Sequence, residues 1–359
     1  MKRIAIVGTV GVPACYGGYE TLVENLLDNK QCKDIKYQIY CSSKTYKKHF
    51  TNYKGAKLVY LPFYANGWQS VVYDSLSLIH AYFTCHVVLS LGTVGSFVLP
   101  LLRIFSKKKV IVNLDGLDNR RDKFGFLSQK MIGCARRLAA KYADTCISDN
   151  QGIKDYAIKA YHRDTELIEY GGDNAFAITD DRKLQEKYGL TRNSYSFKVA
   201  RIEPENNIEL ILKAFAQLPE EQLVIVGNWT RSKFGQRMKK EYISYPNILM
   251  LPPIYLPENI NLLRSNCKLY IHGHSAGGTN PSLVEAMNLH LPILAFDVVY
   301  NKETTEYKAA YFKDTKSLVA TIKELKTHQL KEIADNMKEI AERRYKWAII
   351  CKKYETLFL

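Results

Sequence analysis

The stretch LYIHGHSAGGTNPSLVEAM, residues 269–287, turns from one kind of local structure to another. A short β-prone run ends at His272, and glycines at 273, 277 and 278 then break it. Asn280 is a good N-cap and Pro281 suits the first helical position, so a helix is expected to begin here. Strand, glycine loop and helix in that order are the unit from which a parallel sheet covered by helices is built. The same alternation recurs along the chain. Strands are expected at residues 3–7, 37–41, 57–61, 87–91, 110–113 and 145–148. After Tyr170-Gly171-Gly172-Asp173 the pattern restarts, with strands at 196–199, 222–226, 248–251, 269–272 and 292–295.

The fold class expected is therefore α/β, with two doubly wound, Rossmann-like domains facing a cleft: residues 1–172 and residues 173–340. Residues 331–359 read as helical, and Trp347, Ile350, Tyr354 and Leu357 form an apolar stripe. A terminal helix over residues 341–359 is expected to cross back to the first domain. Clefts between domains are where small ligands usually bind.

At 359 residues the chain exceeds the size at which one core keeps growing, which agrees with two domains. Hydrophobic residues at 47% and charged residues at 24% exclude a disordered, collagen-like or coiled-coil chain. The 51 Lys+Arg exceed the 36 Asp+Glu by 15, an excess that points to a polyanionic partner or surface. No zinc, ribonucleoprotein or helix-turn-helix signature accompanies it, so no nucleic-acid partner is expected. The eight cysteines fall in no C-x-x-C pair and no metal-ligand spacing, which fits free thiols in a reducing cytoplasm and no metal. Lys2-Arg3 leads straight into Ile4-Ala5-Ile6-Val7, too short an apolar run for an export signal. Residues 75–102 contain no Asp, Glu, Lys or Arg, long enough to span a bilayer. Ser, Thr and His residues interrupt them, and Gly92, Gly95 and Pro100 divide them into helix, strand and helix, so a buried α/β segment is expected.

Three constellations carry candidate chemistry. At the helix opened by Asn280, the backbone N–H groups of Ser282 and Leu283 are expected to be free, a ready phosphate site beside the glycines. Glu285 lies one turn in, where a carboxylate near a diphosphate is favourable only if it accepts hydrogen bonds, as from ribose hydroxyls. The second constellation is Ala200-Arg201-Ile202-Glu203-Pro204-Glu205-Asn206-Asn207. Arg201, at the end of a strand, can clamp phosphate oxygens through two parallel donors, and Asn206 and Asn207 add neutral ones. Read alone, Arg201 is better explained by surface pairing with Glu203 or Glu205. The third is the loop Gly8-Thr9-Val10-Gly11 through Tyr16-Gly17-Gly18-Tyr19-Glu20. Val10 stands where a dinucleotide fingerprint needs its second glycine, which disfavours NAD; Gly17 and Gly18 instead let backbone approach a ligand.

Together these motifs resemble the retaining glycosyltransferases of family four, which have the GT-B fold. R-x-x-P-E-N-N from Arg201 is part of that resemblance; more closely, G-x-x-G-x-P-A-x-Y-G-G-Y-E-T at the start, V-N-L-D-G-L-D near Asp115 and H-G-H-S-A-G-G-T-N-P-S-L-V-E-A-M resemble the bacterial rhamnosyltransferase branch that builds capsules and other surface polysaccharides. The resemblance spans nearly the whole chain. It implies that Arg201 contacts the donor diphosphate, that Glu285 is the second glutamate of an E-x7-E element and holds the nucleotide ribose, and that Ser282 and Leu283 donate to phosphate. Gly17 and Gly18 match the glycine loop that closes on the donor. Asp115-Gly116 occupies the place where many relatives carry a histidine near the reacting carbon. Two residues depart from the pattern: the first glutamate is Gly277, and the lysine commonly paired with the arginine is Asn206. His272 and His274 are candidates to fill the gap.

The resemblance thus implies a metal-independent transferase without cofactor, moving L-rhamnose from dTDP-rhamnose to a hydroxyl of a lipid-diphosphate-linked saccharide with retained configuration. Arg201 and Asp115 are the catalytic residues it implies, with a donor phosphate oxygen drawing the acceptor proton and Asp115 positioning the acceptor. Residues 1–172 hold 24 Lys+Arg against 14 Asp+Glu, a net +10, and residues 173–359 hold 27 against 22, a net +5. The excess concentrates at Lys107, Lys108, Lys109, Arg120, Arg121, Lys123, Lys130, Arg136, Arg137 and Lys141. Beside the apolar Phe124, Phe126, Leu127, Met131 and Ile132 it suits an anionic membrane surface, hence a cytoplasmic protein peripheral on the inner face of the plasma membrane. The alternatives are a GT-B enzyme using another nucleotide sugar, and a non-catalytic scaffold in a polysaccharide complex.

Overall fold

The elements gather into two units, Met1–Tyr170 with Trp347–Leu359, and Gly171–Lys346. The computed structural model describes residues 1–15, 17–114 and 126–359. In the first unit the strands are β1 (Lys2–Val7), β2 (Ile35–Ser42), β3 (Asn52–Tyr53), β4 (Ala56–Leu61), β5 (Val87–Leu91), β6 (Lys109–Asn113), β7 (Thr145–Ser148) and β8 (Glu166–Leu167). In the second they are β9 (Tyr195–Val199), β10 (Gln222–Val226), β11 (Ile248–Leu251), β12 (Leu269–His272), β13 (Ile293–Phe296) and β14 (Ala310–Phe312). The helices are α1 (Gly18–Asp28), α2 (Gln69–Thr84), α3 (Leu99–Phe105), α4 (Phe126–Tyr142), α5 (Gln151–Tyr161), α6 (Asp181–Tyr188), α7 (Ile208–Phe215), α8 (Lys233–Tyr242), α9 (Pro257–Ser265), α10 (Pro281–Asn288), α11 (Val299–Thr304), α12 (Thr315–Glu324), α13 (Thr327–Arg344) and α14 (Trp347–Phe358).

The first unit's eight-stranded sheet runs β3-β4-β2-β1-β5-β6-β7-β8, parallel except for β3 against β4. The second unit's six-stranded sheet runs β11-β10-β9-β12-β13-β14 and is parallel throughout. Central strands of such sheets are covered on both faces, so they read as continuous apolar runs without alternation. β5, VVLSL, is buried at every position. β12, LYIH, is likewise buried along its length, including its polar last residue. In the second unit α7 lays Ile208, Ile211, Leu212 and Phe215 on the sheet residues Leu223, Ile225, Leu269 and Ile271. Each such side chain contributes about 1.5–3 kcal/mol by leaving water.

Residues 75–102 divide as expected, into the end of α2, β5, a 3-10 turn at Val94–Val98 and α3. Among the described residues no helix is long and apolar enough to cross a membrane. The expected strands are present within a residue or two, while β3, β8 and β14 are too short to leave a pattern in sequence. The larger departure lies at the C-terminal end. Residues 331–359 form two helices, because Tyr345 leaves helical geometry (φ −113°, ψ 37°). Its ring is buried, its hydroxyl donates to Thr304 O at 2.8 Å, and its carbonyl accepts from Gly172 N at 2.8 Å. Residues 341–346 therefore finish the second unit, and the terminal helix begins at Trp347.

α14 belongs to the first unit. The Glu355 carboxylate, 5% exposed, accepts from Gln31 N at 2.9 Å and Cys32 N at 3.0 Å. Lys353 pairs with the buried Glu169 at 2.8 Å, and Phe358 meets Tyr37 edge to face. Removing an acceptor from two partly buried N–H groups costs about 1–3 kcal/mol. Glu355→Ala is therefore expected to lower the stability of the first unit by about that amount, read as a shift of the denaturant midpoint; no shift would mean that α14 docks through its apolar stripe alone.

Candidate active site

β9 is the first strand of the second sheet, and the chain leaves it on one side through β10 and β11, then returns to its other side with β12. The carboxyl ends of β9 and β12 therefore flank the point where the winding reverses, the place where open α/β sheets bind ligands. The loops after both strands are tied together. Asn206, 4% exposed, donates through Nδ2 to Arg201 O at 2.9 Å, so its Oδ1 is the acceptor for His274 Nδ1 at 2.8 Å. That contact requires the proton of His274 on Nδ1. Asn207, at φ 52°, donates to Gly273 O at 2.8 Å, and Ser275 donates twice to Glu205 O. The amides of Asn206 and Asn207, expected as phosphate donors, instead hold one loop to the other.

The start of α10 departs from expectation in a related way. Asn280 is the N-cap, and its Oδ1 accepts from Ser282 N at 3.0 Å and from Ser282 Oγ at 2.8 Å. Leu283 N donates to Asn280 O at 3.0 Å. The two N–H groups expected to be free are thus bonded within the cap, because an asparagine there satisfies the helix's own donors.

Arg201 follows the end of β9, and Glu285 lies one turn into α10. Arg201 is exposed just past β9 and makes no ion pair among the described residues, so the pairing with Glu203 or Glu205 is not formed. Glu285 is 15% exposed, and its two oxygens meet Asn174 Nδ2 and Arg264 Nη1, each at 2.8 Å. Arg264, on α9 and 5% exposed, neutralises the carboxylate. That pairing removes the objection to a glutamate near a diphosphate, and it leaves lone pairs on both oxygens for hydroxyl donors. Sequence reading missed Arg264 and Asn174, since a helix arginine and a loop asparagine carry no signal of burial.

The two departures from the family pattern have structural counterparts. Gly277 lies at φ 125°, where an L side chain is strained, so this backbone does not suit a glutamate there. His272 is 3% exposed, with Nε2 unpartnered, and burial with nearby Lys198 holds its pKa well below the ordinary value. Lys198, near the end of β9 and 2% exposed, was also missed: inside a strand read by its apolar residues, it looks like a solvent-facing interruption.

In the first unit, Gly17 is the exposed N-cap of α1 at φ 92°, and Gly18 opens the helix. Glu20 follows them into the interior, where Oε1 accepts from Thr9 Oγ1 at 2.9 Å and Val10 N at 2.8 Å. Burial raises its pKa above the usual carboxylate value. Tyr73 adds a hydrogen bond to Thr9 O at 3.0 Å, so the β1–α1 loop is braced from beneath. Asp115, Gly116, Arg120, Arg121, Lys123 and Phe124 lie outside the described residues. Of the remaining basic cluster, Arg136 is 2% exposed and so forms no part of a surface, and Lys108 donates to Phe83 O and Cys85 O at the end of α2. Lys107, Lys130, Arg137 and Lys141 are exposed. Leu101, Ile104 and Phe105 on α3 are exposed apolar residues beside Lys107, and Phe83 lies 6.4 Å from Phe105. A hollow of about 320 Å³ in the second unit, lined by Tyr188, Pro252, Pro253 and Tyr255 among others, contains none of the expected site residues. Among the described residues no cluster of His, Cys, Asp and Glu side chains could hold a metal ion.

Comparison with known proteins bears on the whole chain. Residues 180–344 match the family model described as Glycosyl transferases group 1, and residues 1–173 match Domain of unknown function (DUF1972). No curated protein matches the chain significantly. Among solved structures, sucrose-phosphate synthase from Thermosynechococcus elongatus is similar with a TM-score of 0.84 and 15% identity, over 100% of this chain and 98% of that one. HepE from Anabaena, solved with UDP and glucose, has a TM-score of 0.75 and 16% identity over 99% of each chain. The catalytic domain of starch synthase IV from Arabidopsis thaliana, bound to ADP and acarbose, has a TM-score of 0.73 and 11% identity over 99% and 98%. At such identities the likeness is one of fold, and that fold is the two-domain, GT-B-like α/β architecture expected from the sequence.

The buried pair at the start of α10 is open to a direct test. Arg264→Met leaves Glu285 without its counter-ion, a change that costs about 3–5 kcal/mol in a buried pair. The double variant Arg264→Met, Glu285→Leu is expected to recover most of that loss in chemical denaturation. Equal stability of the single variant and the parent would show the pair to be solvated.

Proposed function

We propose that the chain, whose residues 180–344 match the glycosyl transferases group 1 model, is a GT-B-type glycosyltransferase that moves L-rhamnose from dTDP-rhamnose to a hydroxyl of a lipid-diphosphate-linked saccharide. Configuration at the anomeric carbon is retained in this reading. The supporting observations are an Arg201 at the winding reversal that makes no ion pair among the described residues, and a Glu285 whose charge Arg264 already balances. Arg201 clamps the diphosphate and stabilises the negative charge that grows on it as the glycosidic bond breaks, a task that fixed donors perform best when preorganised. Glu285 accepts from the ribose hydroxyls. Fixed protein donors replace a metal, and a donor phosphate oxygen takes the acceptor proton. Asp115 is assigned to the acceptor side by resemblance. HepE, of the same fold, was solved with UDP, and its likeness supports nucleotide binding without choosing the base or sugar.

The first unit serves the acceptor in this proposal. Its exposed Leu101, Ile104 and Phe105 beside Lys107 support docking on an anionic membrane that carries the lipid-linked saccharide. The family departures at Gly277 and Asn206 favour a donor other than the common glucose-type ones, and they are also what a non-catalytic scaffold would show.

Three measurements separate these readings. Transfer from dTDP-rhamnose is expected to fall about 10²- to 10³-fold in kcat/KM for Arg201→Ala, with a comparable loss for Glu285→Ala; unchanged transfer would refute the assignment. In thermal-shift titrations dTDP is expected to stabilise the protein more than UDP or GDP, and indifference to dTDP would remove the donor. Flotation with vesicles is expected to require anionic lipid and to weaken in Ile104→Asp, whereas equal flotation with neutral vesicles would remove the membrane.

A further inference from the structure

Two side chains buried at the winding reversal, Lys198 and His272, have no counter-ion among the described residues. Lys198, from β9, is 2% exposed, and its ammonium takes part in no hydrogen bond or ion pair among the described residues. His272, the last residue of β12, is 3% exposed with Nε2 buried and unpartnered. They are neighbours: a Cβ built on Gly273 would lie 3.1 Å from Lys198 Nζ, and the lysine's charge is one of the causes that depress His272. The groups around the pair offer it no negative charge. The β12 end contributes His274, the β9 loop contributes the backbone oxygen of Asn206, and α7 contributes Ile211.

A buried lysine without a carboxylate is costly in either state, as a desolvated cation or as an unsatisfied amine. Burial pushes Lys198 down to about 7. Folding alone gives no reason to keep such a group, and an apolar residue would fit the strand better. An oxyanion at the carboxyl ends of β9 and β12 would supply both the acceptors and the charge. The position is informative for a second reason. At residue 206, where the resemblance places a cation, Asn206 braces the loops and bears no charge.

We propose that Lys198, with His272, forms an oxyanion subsite for the diphosphate of the donor, returning from the strand the positive charge that residue 206 does not carry. The proposal rests on the nucleotide-sugar reading and adds a binding residue to it. One linkage follows. Above pH 7 the free site is largely neutral, and an anion that favours the ammonium draws a proton from solution as it binds.

The test uses the full chain at pH 8 and isothermal titration calorimetry with dTDP, UDP, GDP and pyrophosphate, in two buffers of different ionisation enthalpy. The parent is expected to take up a fraction of a proton approaching one. Lys198→Met is expected to abolish that uptake and to weaken binding about 10- to 100-fold, the loss of a hydrogen bond to a charged group. The same variant is expected to raise the melting temperature of the free protein at pH 7. The unfolded lysine binds a proton that the folded one gives up between about pH 7 and 10.5, so the parent's own stability rises across that window and the gain from methionine shrinks. A residue that only packs would not stabilise the protein on removal while weakening the ligand. Parent-like affinity and proton uptake in Lys198→Met, with binding lost in Arg201→Ala, would overturn the subsite and leave the donor reading standing. Failure of the parent to bind any of the four anions would overturn both.

Discussion

The loops that follow β9 and β12 are held together by side-chain amides, and the rest of the candidate site depends on that tie. Asn206 bridges Arg201 O and His274 Nδ1, while Asn207 reaches Gly273 O. These bonds fix where the chain turns out of each strand. Because the braces are neutral, they cannot also serve as the cation that a diphosphate attracts. In the proposed donor reading the charge comes instead from Arg201 on the same loop and Lys198 on β9.

A similar division of labour appears around α10. Its cap uses Asn280 to satisfy Ser282 and Leu283, so the helix start is self-contained and contributes its dipole more than free N–H groups. Glu285, one turn later, is tethered by Asn174 and neutralised by Arg264. A carboxylate so prepared can accept hydroxyls without repelling a nearby phosphate. Around α10 the carboxylate and the cap's donors are thus partnered, whereas Arg264 Nε and His272 Nε2 are buried without a hydrogen-bond partner among the described residues.

Most of the fold was legible in sequence because the strands of parallel sheets are apolar throughout and their helices begin with recognisable caps. β5, β7 and β12 matched their expected limits, since glycine or polar residues end them abruptly. The break at Tyr345 was not legible, because Trp347, Ile350 and Tyr354 continue a helical period across it and only the tertiary bonds of Tyr345 interrupt the backbone. At the site, Arg201 and Glu285 were visible as charged residues at strand and helix ends. That Asn206, Ser282 and Leu283 are bonded within the protein was not legible, because sequence shows that a donor exists and says nothing of what already accepts from it. Arg264 and Lys198 were invisible for the opposite reason: sequence does not show that a charge is buried.

The most direct measurement of the central claim, that the carboxyl ends of β9 and β12 bind the donor's nucleotide diphosphate, is a crystal structure with dTDP. The diphosphate is expected against Arg201 and Lys198, with the ribose hydroxyls on Glu285. A dTDP molecule bound in the hollow beside Tyr188 and Tyr255, or one whose phosphates avoid both cations, would contradict it.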